Sequence, residues 1–185
     1  TIIVPTIKSN YYVVVDWSTI AQQAIINSSD PSSSDQYGDA VAISADGNTA
    51  VITSQQDDDD ATNSGAAYVW IRSGTSWTQQ AKLKAGDPGG GDPGDQFGRS
   101  CAISDDGNYI IIGAPFELQS GTNRLRGAAY IFYRSGTSWT QQIKFVAPDA
   151  STFAYAGMSV TLSGDGNYAG VGAPQTKKAY ILNRS

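Results

Sequence analysis

The stretch DQFGRSCAISDDGNYIII, from Asp95 to Ile112, decides the fold because it occurs in three related copies along the chain. An earlier copy, DQYGDAVAISADGNTAVI, begins at Asp35, and a later one, YAGMSVTLSGDGNYAGVGAP, begins at Tyr155. A sequence that repeats itself about every sixty residues predicts a set of equivalent structural units. This period is too long for a helical solenoid repeat and is comparable to a four-stranded propeller blade.

Each copy has the pattern of a β-hairpin followed by two further strands. Val41 and Ile43 stand at alternate positions, as do Ala50 and Ile52, and the Asp46-Gly47 pair lies between these two segments. Asp-Gly between alternating segments favours a tight hairpin, because glycine adopts the positive φ that the turn requires. Farther along, GAAYVWIRSGTSWTQQAKL from Gly65 recurs as GAAYIFYRSGTSWTQQIKF from Gly127. The sequence therefore predicts an all-β, propeller-like fold with four short antiparallel strands in each repeat.

The repeats predict a single domain of about three blades. Its segments are a partial blade over residues 1–34, complete blades over 35–94 and 95–150, and a partial blade over 151–185. In the first segment, YYVVVDWSTIAQQAII matches the third and fourth strands of later blades, with Trp17 at the position of Trp77 and a shortened turn. The last segment has only the first three strands. We therefore expect N-terminal strands to complete that blade, in the same chain or in a neighbouring one.

Two short motifs identify the kind of repeat. The second copy has Phe97-Gly98 followed by Gly113-Ala114-Pro115, and the third copy has Ala156-Gly157 followed by Gly172-Ala173-Pro174. Together with the hairpin between them, these motifs resemble the FG-GAP repeats of the integrin α-subunit β-propeller and of many bacterial and viral surface proteins. The resemblance covers about residues 11–185. It implies a propeller-type module used for adhesion or recognition, at a cell surface or on a virion, and it does not imply an enzyme.

In this family the first hairpin often carries calcium, in a loop of pattern DxDxDG. Oxygen ligands at alternate positions suit a hard cation that needs about six to eight contacts. The matching loops here are SADGNTA, SDDGNYI and SGDGNYA, each with a serine where an earlier carboxylate belongs. The remaining metal candidates are Asp46, Asp106 and Asp165. This departure favours turn residues over calcium ligands, and we expect no cofactor.

Composition excludes several classes of function. The 185 residues include no histidine, one cysteine and one glutamate, and the formal net charge is −5. Without histidine there is no Ser-His-Asp triad and no histidine-ligated zinc, and a lone cysteine forms no disulfide within the chain. The negative charge argues against nucleic acid as a partner. No apolar run approaches the roughly 18 residues of a membrane-spanning helix, so we expect no membrane insertion.

The candidate binding residues lie in the loops between the second and third strands. They are Asp57, Asp58, Asp59 and Asp60 in the first blade and Glu117, Leu118 and Arg124 in the second. Four adjacent carboxylates repel one another and gain by binding a cation or a basic partner. The other interpretation of the acidic run is a solvated loop, and the sequence favours that one.

Two other residue types have structural interpretations. Cys101 occupies the position of Val41 and Val160, which indicates a small apolar site rather than a reactive thiol. Trp77 and Trp139 each open a fourth strand. An exposed indole there would stack on sugar rings, but packing at the blade edge is favoured.

These observations predict a non-catalytic structural or adhesive module of an extracellular or virion surface assembly, such as a fibre, a filament or a capsid or tail decoration. Its partners would be further copies of itself or other surface proteins, joined by β-strand complementation. A monomeric recognition module that binds glycans or proteins through blade-end loops is the main alternative. A glycosidase that uses an aspartate pair is a remote one.

Overall fold

The computed structural model describes residues 21–32, 34–86, 92–118, 125–148 and 153–184. These residues form eleven β-strands and a 3-10 turn at Pro174–Thr176. The strands are β1 (Tyr37–Ile43), β2 (Thr49–Ser54), β3 (Ala66–Ser73), β4 (Ser76–Leu83), β5 (Ser100–Ile103), β6 (Tyr109–Ala114), β7 (Ala128–Ser135), β8 (Ser138–Phe145), β9 (Ser159–Leu162), β10 (Tyr168–Ala173) and β11 (Lys178–Asn183). Within the described ranges, no helix has the length and apolar character needed to cross a bilayer.

The strands form three antiparallel sheets in chain order. Sheet 1 has the order β1-β2-β3-β4 and sheet 2 the order β5-β6-β7-β8, whereas sheet 3 has the order β9-β10-β11. Sheets 1 and 2 share an irregularity at the same place, between Val69 and Trp70 on β3 and between Ile131 and Phe132 on β7. The sequence repeat is therefore a structural repeat. The predicted all-β, propeller-like fold is confirmed, with one antiparallel sheet for each repeat.

Asp-Gly turns join the first two strands of every sheet. The turn glycines have φ angles of +67° (Gly47), +66° (Gly107) and +68° (Gly166), a left-handed conformation that glycine adopts without strain. The turns also connect neighbouring sheets, since the Asp105 N–H donates to the Gly164 carbonyl at 2.8 Å. The hairpin therefore fixes both the register inside a sheet and the position of the next sheet.

The sheets pack face to face, with their first strands in contact. β1 lies against β5, and β5 lies against β9. The core between sheets 1 and 2 includes Val51, Ile110 and Ile112, and the core between sheets 2 and 3 includes Ile111 and Val171. Successive isoleucines of β6 thus point into two different cores. A strand buried on both faces explains why this segment is a continuous apolar run rather than an alternating one.

The glycines of the two short motifs lie where adjacent sheets meet. A Cβ atom on Gly113 would lie 2.0 Å from the carbonyl oxygen of Gly157, which belongs to the third repeat. The Gly98 N–H donates to the Gly113 carbonyl at 3.0 Å. Phe97 is fully buried and packs edge to face on Tyr130, with ring centroids 5.4 Å apart. These residues therefore set the spacing between sheets.

The motif in sheet 3 keeps part of this arrangement. The Gly157 N–H donates to the Gly172 carbonyl at 3.0 Å, which repeats the bond between the motif glycines of the second repeat. Ala173 is buried, as is Pro115 of the second repeat. Pro174 is exposed and opens the 3-10 turn. The motif therefore ends a buried strand in both repeats.

Residues 21–32 lead toward sheet 1 without forming a strand. Ile26 packs against the apolar cluster that includes Tyr68 and Trp70, on the face of sheet 1 that is turned away from sheet 2. Most of the partial blade predicted over 1–34 falls on residues 1–20, which lie outside the described residues. The completion of sheet 3 by N-terminal strands therefore stays a prediction, and so do the boundaries between segments.

Candidate functional site

The acidic loop, Asp57–Asp60, follows β2 and has one buried carboxylate, Asp57, whereas its other three residues are exposed. Asp57 is a carboxylate and yet only 2% exposed. Its Oδ2 accepts a hydrogen bond from the Tyr68 hydroxyl at 2.7 Å and lies 2.8 Å from Lys82 Nζ. A buried carboxylate needs such partners, because removing a charge from water costs several kcal/mol. Asp57 is therefore bound within sheet 1 rather than presented to a ligand.

Lys82, on β4, also holds two further carboxylates. Its Nζ lies 2.8 Å from Asp30 Oδ2 and 2.5 Å from Asp59 Oδ2. The oxygens of Asp30, Asp57 and Asp59 lie within 4.8 Å of one another, a spacing that suits a metal ion. The Lys82 ammonium already takes the central position. The cluster is therefore an internal ion-pair network rather than a cation site.

These contacts change the pKa values of the cluster. Burial acts to raise the pKa of Asp30, but hydrogen bonds from Lys82 and Tyr68 outweigh it and lower that pKa to about 2. Hydrogen bonding to Lys82 also lowers the pKa of Asp59. Burial acts to lower the pKa of Lys82, and hydrogen bonds to Asp30, Asp57 and Asp59 raise it above its usual value. Asp30, Asp59 and Lys82 are therefore charged at neutral pH.

The other two residues of the acidic loop also have partners. Asp60 Oδ1 pairs with Lys84 Nζ at 2.7 Å, and Asp58 Oδ1 accepts the Asn63 N–H at 2.6 Å. Every carboxylate of the loop is thus engaged by residues of the same repeat. The sequence offered two interpretations of the acidic run, a bound cation or a solvated loop. The structure adds a third, in which Lys82 and Lys84 of the protein itself supply the positive charges.

Sheet 2 repeats this cluster with a glutamate. Glu117 occupies the position of Asp57, accepts a hydrogen bond from the Tyr130 hydroxyl at 3.2 Å and pairs with Lys144. Lys144 Nζ also lies 5.5 Å from the centroid of the Tyr130 ring. The tyrosine and the lysine come from the same repeat positions as in sheet 1. Each four-stranded sheet therefore contains one acid–tyrosine–lysine cluster.

Leu118, the next candidate of the second loop, lies at the base of that loop. Leu118 forms an isolated antiparallel bridge with Leu125. Arg124 lies outside the described residues. The loop after β6 is therefore closed by a backbone pairing at its base.

Asp95 is a buried carboxyl that sequence reasoning did not select. It is 1% exposed, and its Oδ2 accepts the Asp92 N–H at 2.9 Å. Burial first, and then the negative charge of Glu117, raise the pKa of Asp95 to about 7. The two carboxyls are therefore electrostatically linked beneath the second loop.

The three metal candidates of the hairpins bond within their own turns. In Asp46, Asp106 and Asp165, Oδ1 accepts a 2.6 Å hydrogen bond from the serine two residues earlier and a 2.9 Å bond from the asparagine N–H two residues later. The hydrogen bond from Ser44 is the main cause that lowers the pKa of Asp46 to about 2. The bond from Ser163 likewise lowers the pKa of Asp165. The geometry is that of a hydrogen-bonded turn.

Three members of the sheet 1 cluster, Asp30, Tyr68 and Lys82, are absent from the candidates that the sequence predicts. A signal for two of them was present, because tyrosine and lysine recur at the same places in GAAYVWIRSGTSWTQQAKL and GAAYIFYRSGTSWTQQIKF. A polar pair kept in two copies of an otherwise apolar pattern indicates a shared polar contact. Asp30 carried no such signal, since it lies 52 residues before its lysine.

The cysteine and the strand tryptophans are packing residues. Cys101 and Trp139 pack against the core between sheets 1 and 2, and Trp77 packs against the opposite face of sheet 1. Burial raises the pKa of the Cys101 thiol to about 12, which disfavours the reactive thiolate.

Comparison with solved structures shows the fold. The chain is similar to the periplasmic gluconolactonase PpgL of Pseudomonas aeruginosa, with 14% identity and a TM-score of 0.56 over 89% of this chain and 42% of that one. It is also similar to hydrazine synthase of Kuenenia stuttgartiensis, with 15% identity and a TM-score of 0.51 over 77% of this chain and 39% of that one. The chain thus spans less than half the length of either structure. Comparison with curated proteins gave no match.

A family model described as FG-GAP repeat matches residues 20–70, 77–132 and 139–182. The three matches begin at Ile20, Trp77 and Trp139. The alignment of Trp17 with Trp77 stays a prediction, because Trp17 lies outside the described residues. Because the matches together cover most of the sequence, the chain belongs to the FG-GAP repeat family.

Proposed function

We propose that this protein is a non-catalytic structural or adhesive module of a surface assembly, whose subunits join by β-strand complementation. The observation that carries the proposal is that the third repeat has three strands among the described residues, one fewer than sheets 1 and 2. β11 pairs with β10 on one side, and among the described residues no strand pairs with its other side. In sheets 1 and 2 the same position is filled by β4 and β8.

A three-stranded blade is completed when a fourth strand extends its sheet. Such a strand pairs its backbone N–H and C=O groups with those of the last strand, and another chain is able to supply it. The N-terminal segment is the donor in our proposal, because its sequence matches the last strands of a blade. A head-to-tail contact of this kind gives a closed ring or an open fibre, depending on the rotation between subunits. Further copies of the chain, or other surface proteins, are then the partners, outside the cell or on a virion.

The contacts of the carboxylates support a non-catalytic role. General acid–base catalysis needs a carboxyl group beside a space that a substrate can enter. Asp57 and Glu117 are instead engaged by tyrosine and lysine. The groove between sheets 2 and 3, with a volume of about 300 Å³, has no carboxylate among the described residues of its lining.

The native mass of the full chain, measured by light scattering on a sizing column, tests the assembly. We expect a dimer or a larger species in place of a 19.5 kDa monomer. A chain shortened by residues 1–27 should be monomeric, with circular dichroism to verify that its sheets remain. A full-length chain that stays monomeric would overturn the proposal. A glycan array and a partner pulldown would then test the monomeric recognition module.

An enzymatic role is tested separately, because a gluconolactonase has a similar fold. The chain is incubated with gluconolactone and with aryl glycosides, and the release of product is followed. We expect no turnover above the spontaneous rate. Turnover that Asp95→Asn or Glu117→Gln abolished would contradict the non-catalytic role.

A further inference from the structure

We propose that the groove between sheets 2 and 3 binds a tryptophan side chain that a partner protein inserts into it. This inference rests on the proposed adhesive role and deepens it, because it names the chemistry of the partner. In the complex, the partner's indole ring lies between Arg184 and Gln142, and its N–H donates to the side-chain oxygen of Gln142.

The groove continues the packed interface between sheets 2 and 3. Its walls include Ile131, Leu162 and Leu182, which also pack against the buried core of that interface. The open space has a volume of about 300 Å³. Because one water molecule takes ~30 Å³ in the liquid, this volume corresponds to about ten waters and has room for a bicyclic aromatic ring. The groove is therefore large enough to receive an indole.

At the boundary between sheets 1 and 2, a tryptophan of this chain fills the equivalent place. Trp139 packs against the core there, and its Nε1–H donates to Gln80 Oε1 at 2.9 Å. The guanidinium of Arg134 lies over the Trp139 ring, 5.6 Å from the ring centroid, in a cation–π contact. The molecule itself thus shows which side chain a boundary of this kind accepts.

Both groups that hold the Trp139 indole recur beside the groove. Gln142 of β8 stands at the position of Gln80, and Arg184 stands at the position of Arg134. Each of these arginines donates its backbone N–H to the carbonyl of the turn asparagine in its own sheet at 2.9 Å, so their backbones are placed equivalently. Among the described residues that line the groove there is no tryptophan. The acceptor and the cation are therefore present around an open space.

The glutamine shows the same difference in its burial. Gln80 is half-buried beside Trp139, whereas Gln142 is exposed at the groove. An acceptor in contact with water gains little unless a donor replaces that water, and an indole N–H is such a donor. The bond between Trp139 and Gln80 is therefore the pattern that a ligand would repeat at Gln142.

Size changes around the groove keep room for the ring. Sheet 3 has Ala169 and Leu182 where sheet 2 has the larger Ile110 and Phe132. These two larger residues are buried in the core between sheets 1 and 2. On the opposite wall, Ile143 is larger than the alanine at its position in β4. Two losses of volume against one gain leave the groove open beside a well-packed interface.

Large apolar groups are exposed along the groove. Ile143 is 48% exposed and Tyr168 is 57% exposed, and both line the open space. The guanidinium of Arg184 lies 4.6 Å from the centroid of the Tyr109 ring, which holds it at the wall. A concave apolar surface with a few convergent polar groups is typical of a binding site.

These groups select tryptophan among the apolar side chains. Phenylalanine has no donor for the oxygen of Gln142, and a lysine or arginine would meet the charge of Arg184. Among the described lining residues no carboxylate is present to attract such a cation. Tryptophan combines a large apolar ring, an N–H donor and an electron-rich face for a guanidinium. It is also one of the side chains that most often anchor protein interfaces in pockets.

Equilibrium dialysis of the full-length chain against N-acetyl-L-tryptophanamide tests the site, because this uncharged compound resembles a tryptophan residue within a chain. We expect saturable binding, at least about threefold tighter than that of N-acetyl-L-phenylalaninamide, which lacks the N–H. Absence of saturable binding overturns the inference. Free indole is the third probe. Binding of indole without binding of the amide would indicate a small-molecule site, and it would overturn a protein partner.

A methylated probe tests the orientation of the ring. The same amide with a methyl group on the indole nitrogen should bind the unmodified chain about fivefold more weakly, because it cannot donate to Gln142. To the Gln142→Leu chain the two amides should bind equally, since the acceptor is gone. A methylated amide that binds the unmodified chain as tightly as the parent compound overturns the hydrogen bond to Gln142.

Substitutions on the two faces of sheet 3 and its neighbour locate the binding. Ile143→Asp should weaken binding of the tryptophan amide by about tenfold or more, because it places a charge in the apolar wall. Ile181→Asp is the matched control. Ile181 is 74% exposed, and it follows the strand alternation to the face opposite Leu182, which lines the groove. It should leave binding unchanged, and circular dichroism verifies the fold of both variants. Equal binding by both variants would overturn the groove as the site.

Failure of this inference and failure of the proposed function give different results. A chain that assembles but does not bind the tryptophan amide overturns the groove site and leaves strand complementation standing. A monomeric chain that binds the amide overturns strand complementation and leaves the groove site standing.

Discussion

Sheets 2 and 3 have the same first three strands in the same order, but among the described residues only sheet 2 is followed by another sheet. On the face toward the next sheet, β6 carries Ile111, and β10 carries Gly170 at the equivalent position. On that same face, Ile131 packs into the core between sheets 2 and 3, whereas Ile181 is 74% exposed. The residues on the face of a sheet toward the next sheet therefore depend on what packs against that face and not on the strand itself.

The motif glycines show the same dependence. A Cβ on Gly113 would lie 2.0 Å from the backbone carbonyl oxygen of Gly157 in the following repeat. A Cβ on Gly172, the equivalent glycine of sheet 3, would meet the Ser159 Oγ at 2.3 Å, and its nearest backbone contact would be 3.6 Å away. A hydroxyl can rotate away, whereas a backbone carbonyl between two sheets cannot.

The largest expected effect follows from this contrast. Gly113→Ala should lower the free energy of unfolding by about 3 kcal/mol or more, because the added methyl group must push two sheets apart. Gly172→Ala should cost less than about 1 kcal/mol, since one side-chain rotation relieves the contact. Urea denaturation of both variants measures the difference. Equal losses would show that the glycine is required by the strand and not by the neighbouring sheet.

Loss of Lys82, the lysine of the sheet 1 cluster, should have the next largest effect on the free energy of unfolding. Lys82→Met leaves Asp57 buried without its cation and should destabilise the fold by about 3 kcal/mol. Lys144→Met should be milder, because among the described residues it deprives one carboxylate rather than three. Lys84→Met is the matched control, since its partners are more exposed, and it should cost less than about 0.5 kcal/mol. Urea denaturation again provides the measurement, and a Lys82 variant as stable as the Lys84 variant would contradict the network.

Asp95 gives the stability of the second repeat a pH dependence that the third repeat lacks, because the third repeat has Ala154 at the position of Asp95. The pKa of Asp95 is raised in the folded state, so the folded protein binds the proton more tightly than the unfolded one. Its contribution to stability is therefore fully present below the unfolded pKa, near 3.8, and is lost as the pH rises to about 7. A one-unit pKa difference is worth about 1.4 kcal/mol, and we expect a loss of at least that size.

Asp95→Asn should remove this pH dependence, because asparagine keeps an acceptor for the Asp92 N–H without titrating. The free energy of unfolding is compared at several pH values between 4 and 8 for both proteins. Asp58→Asn, at an exposed position of the acidic loop, is the control and should keep the slope of the unmodified chain. An Asp95→Asn variant with an unchanged slope would exclude Asp95 as its source.

Much of the fold could be predicted from the sequence because its determinants are local. The Asp-Gly pairs and the alternating segments around them set each hairpin within about a dozen residues, and the repeats showed which strands belong together. The cluster around Lys82 was missed because its members converge only after folding. Asp30 reaches Lys82 from 52 residues away, and nothing in its own neighbourhood marks it.

The smallest effect is expected when calcium is added, because the Asp-Gly turns that all three sheets share form their own hydrogen bonds. Calcium should raise the melting temperature by less than about 1 °C over a chelated sample, because ligand binding stabilises only where a site exists. In the first hairpin, Asp46 Oδ1 accepts bonds from Ser44 and the Asn48 N–H, and Oδ2 accepts one from the Asn48 side chain. These donors compete directly with a cation for the same lone pairs. A rise of several degrees with calcium but not with magnesium would mean that the cation displaces the turn's own hydrogen bonds. The hairpin aspartates would then be ligands in all three sheets, because the three turns share one geometry.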